Sequence, residues 1–381
     1  MSKGSSYSDK TTIKFIHNVQ GAPNVSIYID NKPIAVQLAY KEITSYLDVN
    51  GGNHKISVYV SSDTRTPLLT KTLNLQRGDD YTVIVAGGLA DLPNNLSLLT
   101  YKDNLKCPKA GYAHIRFIHA AYGAPAVDIY VNDRLTFSNV EYKQTGRPMY
   151  VPIMIGRVNA QGLPTPTIVS VKAAGTSTSV FGPYNIYPDN TGIYSIIATD
   201  WNSNVPSVGA LITKDNKDEC VMLKKNFDVQ AYMGKWYQIA SIPQFFNIDC
   251  ARSTAEYTLL SDKVNVYNTC YDRESKPIRS ITGSAVAPNP CVPAALIVSF
   301  PDTPVYTTPN YLVHSTDYTN YAIVGSPTLT SFFILSRCRQ MCTKEYNNIL
   351  RYAKRLGYDI SRIKPDVDAL TNRCNNVCSH E

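Results

Sequence analysis

Two stretches of this chain repeat one another at a constant offset of 102 residues. Ile13-Lys-Phe-Ile-His-Asn-Val-Gln-Gly-Ala-Pro-Asn-Val-Ser-Ile-Tyr-Ile29 lies beside Ile115-Arg-Phe-Ile-His-Ala-Ala-Tyr-Gly-Ala-Pro-Ala-Val-Asp-Ile-Tyr-Val131, and the match continues to Tyr40-Lys41 and Tyr142-Lys143. Tyr81–Ala86 and Tyr194–Ala198 are 113 apart. The second copy therefore holds an insertion, most simply the Gly/Pro-rich stretch 156–166. A duplication of this length requires each copy to be a folding unit of about a hundred residues. Within a copy, Val25–Ile29, Lys55–Val60 and Tyr81–Ala86 are short, β-branched or aromatic, and bounded by Gly, Asn, Asp and Pro, which is the pattern of strands separated by turns. Several such strands with a turn every ten or so residues indicate an immunoglobulin-like sandwich. The expected organisation of this half is a polar tail at 1–10, sandwiches at 11–104 and 113–212, and short linkers at 104–112 and 213–219.

The phrase Phe-Ile-His-x-x-x-Gly-Ala-Pro-x-Val-x-Ile-Tyr resembles a family of tandem immunoglobulin-like sandwiches catalogued as domain of unknown function 4397. The resemblance covers most of 11–216 and implies a fold without a chemistry. His17 and His119 are the repeated titratable pair. No Cys, Asp or second His accompanies either, so the expected role is a ring bonding a nearby turn carbonyl, with metal binding or pH sensing as the alternative.

Charge separates the halves poorly: the net +7 is spread over both, leaving no basic stripe of the kind nucleic-acid binding needs. No apolar run approaches the roughly 20 residues of a membrane span. Cysteine separates them sharply. Cys107 stands alone in the first half, whereas Cys220, Cys250, Cys270, Cys291, Cys338, Cys342, Cys374 and Cys378 crowd the second. Such density implies disulfides and an oxidising environment, although Met1–Lys10 has no apolar core of a secretory signal. The expected location is extracellular or within a virus particle.

Residues 220–378 read as a third domain. Strands are expected at Trp236, Ser253–Leu259, Lys263–Cys270, Ile278–Val286, Ala294–Phe300, Asn310–His314, Tyr321–Gly325 and Ser331–Ser336. A helix then begins at Thr343 as N-cap, sets Tyr346, Ile349, Leu350, Ala353 and Leu356 on one face, and ends at Gly357. Eight up-and-down strands make a closed barrel with room for one small ligand. The fold class is thus all-β: two tandem sandwiches, then an eight-stranded barrel with one C-terminal helix.

Gly234-Lys-Trp-Tyr237, Thr316-Asp-Tyr318 before Tyr321-Ala-Ile-Val324, and Arg337 after Phe-Ile-Leu-Ser resemble the three motifs of the lipocalin family, nearest to bacterial lipocalins and apolipoprotein D. The resemblance implies a structural role for Gly234, Trp236, Asp317, Tyr318 and Arg337, with Arg337 laid across the Trp236 indole. It implies ligand contacts at Tyr257, Asn268 and Phe333, and a Cys250–Cys374 disulfide. The partners of Cys220, Cys270, Cys291, Cys338, Cys342 and Cys378 stay open. Cys338-x-x-x-Cys342 with Cys374-x-x-x-Cys378 also has zinc-site spacing, but extra disulfides are preferred, and no metal or cofactor is expected. Arg337, Arg339, Lys344, Arg351, Lys354 and Arg355 cluster near the helix, where cations favoured by the helix dipole are expected as a solvated face.

No nucleophile elbow, phosphate loop or His-Glu-x-x-His occurs, so no catalytic residue is assigned and the chain is read as a non-enzyme. The expected function is binding of a small hydrophobic, lipid-like ligand in the barrel, with the sandwiches meeting protein partners. The alternative is a structural component of an assembly such as a large DNA virus particle.

Overall fold

A computed structural model describes residues 10–89, 94–160, 164–204, 207–215, 220–244, 246–301, 303 and 305–373. The duplication reappears as two sandwiches with the same strand order. In the first, one sheet runs Leu47–Val49, Thr11–Asn18, Asp80–Ala86, Ser97–Asp103, and faces a sheet running Lys32–Leu38, Val25–Ile29, Gly52–Val60, Leu69–Leu75. The second copy repeats both orders strand for strand. In each copy the opening strand pairs in parallel with a later one, setting Phe15 beside Val83 and Phe117 beside Ile196. Alternate residues such as Ile13, Phe15, Ile27 and Val58 meet between the sheets and are fully buried, as a period of two requires. The connection of two residues between Val49 and Gly52 becomes twelve between Met154 and Thr167, which is where the insertion lies. His17 and His119 each direct Nε2 at a turn carbonyl, of Pro23 at 3.1 Å and Pro125 at 2.9 Å.

The opening strand Thr11–Asn18 is buried at all eight positions, because its second face packs on the other sandwich. Ile16, Ile84, Ile118 and Ile197 form the apolar part of that contact. Beside them, Lys14 pairs with Asp215 at 2.5 Å and Arg116 with Asp103 at 2.7 Å, all four side chains buried. Lys14 and Arg116 occupy equivalent places in the repeat, so the two ion pairs cross between copies. The interface is self-complementary in the manner of a two-fold dimer, closed within one chain.

The third domain is one antiparallel ring of eight strands: Gly234–Ser241, Arg252–Leu259, Val264–Tyr271, Pro277–Val286, Ala295–Ser299, Tyr311–Thr316, Tyr321–Gly325 and Phe332–Ser336. The first strand pairs with both the second and the eighth and closes the barrel. Helix Thr343–Leu356 lies against the wall through Tyr346, Ile349, Ala353 and Leu356. Its N-cap is Cys342, not Thr343; Thr343 is the first helical residue and its hydroxyl donates to the Thr371 carbonyl. Gly357 ends the helix at φ +97°, a left-handed conformation suited to glycine. A second, one-turn helix at Val229–Tyr232, absent from the expected scheme, is capped by Asp228.

The barrel is seated on the second sandwich. Asn190 donates from Nδ2 to the Leu356 carbonyl and accepts from Gly111 N–H, both at 2.8 Å. Ile155, in the insertion, packs with the barrel's helix-side core. A Cys107–Cys220 disulfide ties the linker between the sandwiches to the first residue of the barrel domain, giving Cys220 the partner that sequence left open.

Candidate functional site

Strand alternation puts the connections after strands two, four and six at one end of the barrel, and that end is sealed. Trp236 is fully buried there, and its Nε1 donates to the Tyr232 carbonyl at 2.9 Å. The Arg337 guanidinium carbon stands 3.7 Å from the Trp236 ring centroid. Arg337 also donates to the carbonyls of Tyr318 (3.0 Å), Lys235 (2.9 Å) and Met233 (2.7 Å). Gly234 sits at φ +92°, and a Cβ there would stand 3.3 Å from Arg337 Nη1, so only glycine suits both constraints. Burial would raise the Asp317 carboxyl, but N–H donors from Tyr321, Asn320 and Thr319 outweigh it and hold the group below the usual range. Tyr318 accepts from Asp228 N–H at 2.9 Å. Among the residues implied by the motifs, these five close the barrel floor.

Above the floor is a cavity of about 410 Å³. Its walls are mostly apolar, with Val266, Ile281, Val298, Val324, Phe333 and Leu335 among the lining residues. At the open end Phe246 stacks on Phe333 with centroids 6.4 Å apart and lies 6.5 Å from Phe300. Tyr257, Asn268 and Phe333 all line the cavity. The Asn268 Oδ1 and the Ser253 hydroxyl are buried without a hydrogen-bond partner. At the base, the Tyr311 hydroxyl lies 2.9 Å from that of Tyr232 and 3.0 Å from that of Tyr257. Burial raises all three phenols, so they remain protonated.

Sequence reasoning missed most of the polar lining. Ser253 and Ala255 follow from Tyr257, and Val266 and Cys270 from Asn268, by steps of two along their strands, a signal that was available. Gln238 follows in the same way from Trp236, whereas Asn247, Arg279 and Tyr311 carried no such signal. Arg279 pairs with Asp249 near the open end. Gln238 Nε2 donates to Asp366 at 2.6 Å, Ser253 N–H donates to the same carboxyl at 2.9 Å, and Asn247 Nδ2 donates to Gln238 Oε1 at 3.1 Å. Burial pushes the Asp366 carboxyl up to about 7. The residue sits on the strap after the helix, where Lys364–Pro365 pairs with the first barrel strand.

The implied Cys250–Cys374 bond is corrected. Cys250 is bonded to Cys270, with Cα atoms 5.4 Å apart, and a sulfur so engaged has none left for Cys374. The antiparallel register, which sets Arg252 opposite Tyr271 and Ser253 opposite Cys270, brings the two together at the barrel's open end. Cys338 and Cys342 are also disulfide-bonded, which removes the thiolates a zinc site would use. Cys374 and Cys378 lie outside the described residues. Cys291 is a free, exposed thiol. Among the described residues the one group with metal-ligand spacing, Asp249 with Cys250 and Cys270, contains that same disulfide.

Residues 227–368 match the family model described as a lipocalin-like domain, and residues 11–130 and 113–221 match domain of unknown function 4397. A mimivirus protein named as a lipocalin (Acanthamoeba polyphaga mimivirus) is 34% identical over 158 residues, which is 38% of this chain and 86% of that protein. Temperature-induced lipocalin-1 of Arabidopsis thaliana is 35% identical over 148 residues, covering 36% of this chain and 78% of the relative. The outer membrane lipoprotein Blc of Escherichia coli (strain K12) is 32% identical over 143 residues, covering 37% and 80%. The chain therefore belongs to the domain of unknown function 4397 family through its sandwiches and to the lipocalin family through its barrel.

Proposed function

We propose that the barrel binds one small, mostly apolar molecule without reacting with it, and that the immunoglobulin-like sandwiches present the barrel to protein partners. The observation that carries this reading is the cavity of about 410 Å³ kept open inside a closed barrel. It falls within the roughly 300–1,000 Å³ of small-molecule sites, and apolar walls with few polar anchors are their usual lining. Tyr257, Asn268 and Phe333 are assigned to ligand contact. Support for binding over catalysis comes from the lining, whose titratable side chains are Arg279, Tyr257 and Tyr311, a set without a nucleophile–base pair. The disulfides favour an oxidising location.

The test is saturable binding of the neutral fluorophore N-phenyl-1-naphthylamine to the full chain. Asn268→Trp, which fills the cavity, should weaken it at least tenfold. Absence of saturable binding by the folded wild-type protein overturns the reading.

A second reading, a building block of an assembly such as a large virus particle, is favoured by the joining of the three domains through buried ion pairs and the Cys107–Cys220 bond, and by the mimivirus relative. Ordered copies in purified particles would support it.

A further inference from the structure

The base of the cavity contains a hydrogen that has nowhere to go inside the protein. Tyr232, Tyr257 and Tyr311 bring three hydroxyl hydrogens together, and the pairs at full hydrogen-bond distance are two, Tyr232 with Tyr311 at 2.9 Å and Tyr257 with Tyr311 at 3.0 Å. Among the described residues no other side-chain or backbone acceptor pairs with these hydroxyls. Each O–H donates one hydrogen, so two are used and one remains. Two of the three tyrosines, Tyr257 and Tyr311, line the cavity. An unsatisfied buried hydroxyl is costly, and a partner oxygen recovers that cost.

The charge of that partner follows from the surroundings. The cation nearest the floor, Arg337, is committed to five backbone carbonyls and to the face of Trp236. Trp236, fully buried, is packed against Tyr232 with ring centroids 5.1 Å apart. The cation that does line the cavity, Arg279, is paired with Asp249 near the open end. An ionised head group driven to the floor would be buried without a counter-ion, which is far more costly than burying a neutral oxygen.

We propose that the barrel selects apolar ligands whose leading, buried end carries an uncharged oxygen acceptor, such as a ketone, ester or hydroxyl, received by the free hydrogen of the tyrosine triad. This rests on the reading of the barrel as a binding site and adds the chemistry and the orientation of the ligand. A hydrocarbon lacking the oxygen leaves the hydroxyl unpaired, and a carboxylate must stay near the mouth or lose its hydration.

The experiment compares tridecan-2-one, tridecane and dodecanoate at pH 8 as competitors of N-phenyl-1-naphthylamine on the full chain. Tridecan-2-one should displace the probe about tenfold more tightly than tridecane or dodecanoate. In Tyr257→Phe/Tyr311→Phe the ketone's advantage over tridecane should shrink to under about twofold, as one lost hydrogen bond implies. The readout is a ratio of two ligands on the same protein, so a variant that weakens both alike does not move it. Tyr311→Phe alone, checked for folding by thermal melting, leaves the Tyr257 hydroxyl unpaired beside the cavity and should keep or enlarge the ketone's advantage. Equal binding of ketone and alkane by the wild type, a ratio that survives the double substitution or collapses in Tyr311→Phe alone, or dodecanoate as the tightest ligand overturns the inference. Failure of the probe itself to bind strikes instead at the binding reading beneath it.

Discussion

The sandwich interface and the barrel cavity both bury polar side chains and both leave some unpaired, but only the cavity sets its unpaired groups beside an open volume. Between the sandwiches, Lys14 meets Asp215, while Arg116 meets Asp103 and donates Nε to the Ser195 hydroxyl; Arg116 Nη1 is the sole guanidinium nitrogen there without a partner, and its guanidinium lies over the Tyr150 ring. In the cavity, Asn268 Oδ1 and the Ser253 hydroxyl have no partner, and the tyrosine triad has one hydrogen too many. A polar group satisfied from within belongs to the fold. A polar group left unsatisfied beside an open volume is arranged for something that arrives later.

The largest expected effect breaks the first side of this comparison. Arg116→Ala leaves Asp103 and Asp215 facing one another across a buried gap, and removing one partner of a buried ion pair costs roughly 3–5 kcal/mol. Thermal melting should show the sandwich transition falling steeply. A loss under about 1 kcal/mol would show that water already reaches the site. Next in size, Cys250→Ser/Cys270→Ser opens a bond across 20 residues of sequence, for which chain entropy gives about 3 kcal/mol. Peptide mapping without reduction should recover Cys250 linked to Cys270, and recovery of Cys250 with Cys374 would refute the pairing.

That pairing also marks the limit of what the sequence reveals. The repeat, the strand alternation and the Gly234-x-Trp236 and Arg337 motifs each encode local or periodic information, and the sandwiches, barrel and sealed floor follow from them. Cys250 and Cys270 are neighbours because of strand register, which no spacing rule specifies. Lys14 and Arg116 match in the repeat, yet nothing in either copy announces that each carboxylate partner lies in the other. Tyr257 was readable as cavity lining, but Tyr311, after a long connection, is placed by barrel closure. Cys107 and Cys220 meet only once the barrel is seated on the second sandwich.

A smaller effect separates two carboxyls of the barrel. Asp366, beside the cavity wall, is pushed up to about 7 by burial, and Asp317, at the floor, is held low by N–H donors. Since the folded state keeps the Asp366 proton more tightly than the unfolded chain, its stabilisation is complete below about pH 4 and is lost as pH rises through 7. Between pH 6 and 8 that amounts to about 1 kcal/mol. Around Asp366 the facing groups are the Gln238 amide, the Ser253 N–H and the Arg252 guanidinium. Asp366→Asn should flatten the decline seen in denaturant melts over that interval. Asp317 has the opposite sign: its contribution is present above the usual carboxylate range and is lost on acidification. An Asp366→Asn protein with an unchanged slope would place the titration elsewhere.

The smallest change in stability sharpens the comparison most. Asn268 and Arg116 are both polar side chains inside the molecule, yet replacing Asn268 by Leu breaks no hydrogen bond within the protein, because the amide oxygen has no partner to lose. Leucine is of similar size and removes a buried unsatisfied group, so the ΔΔG should lie within about 1 kcal/mol of zero and on the stabilising side if it departs from it. The same substitution should shift which ligands compete for the cavity, disfavouring those that hydrogen-bond midway along it and sparing pure hydrocarbons. Denaturant melts and probe competition on one protein sample read both effects. A loss of several kcal/mol would mean that Asn268 is already satisfied by structure or by water in the unliganded barrel, and the cavity would then resemble the sandwich interface rather than contrast with it.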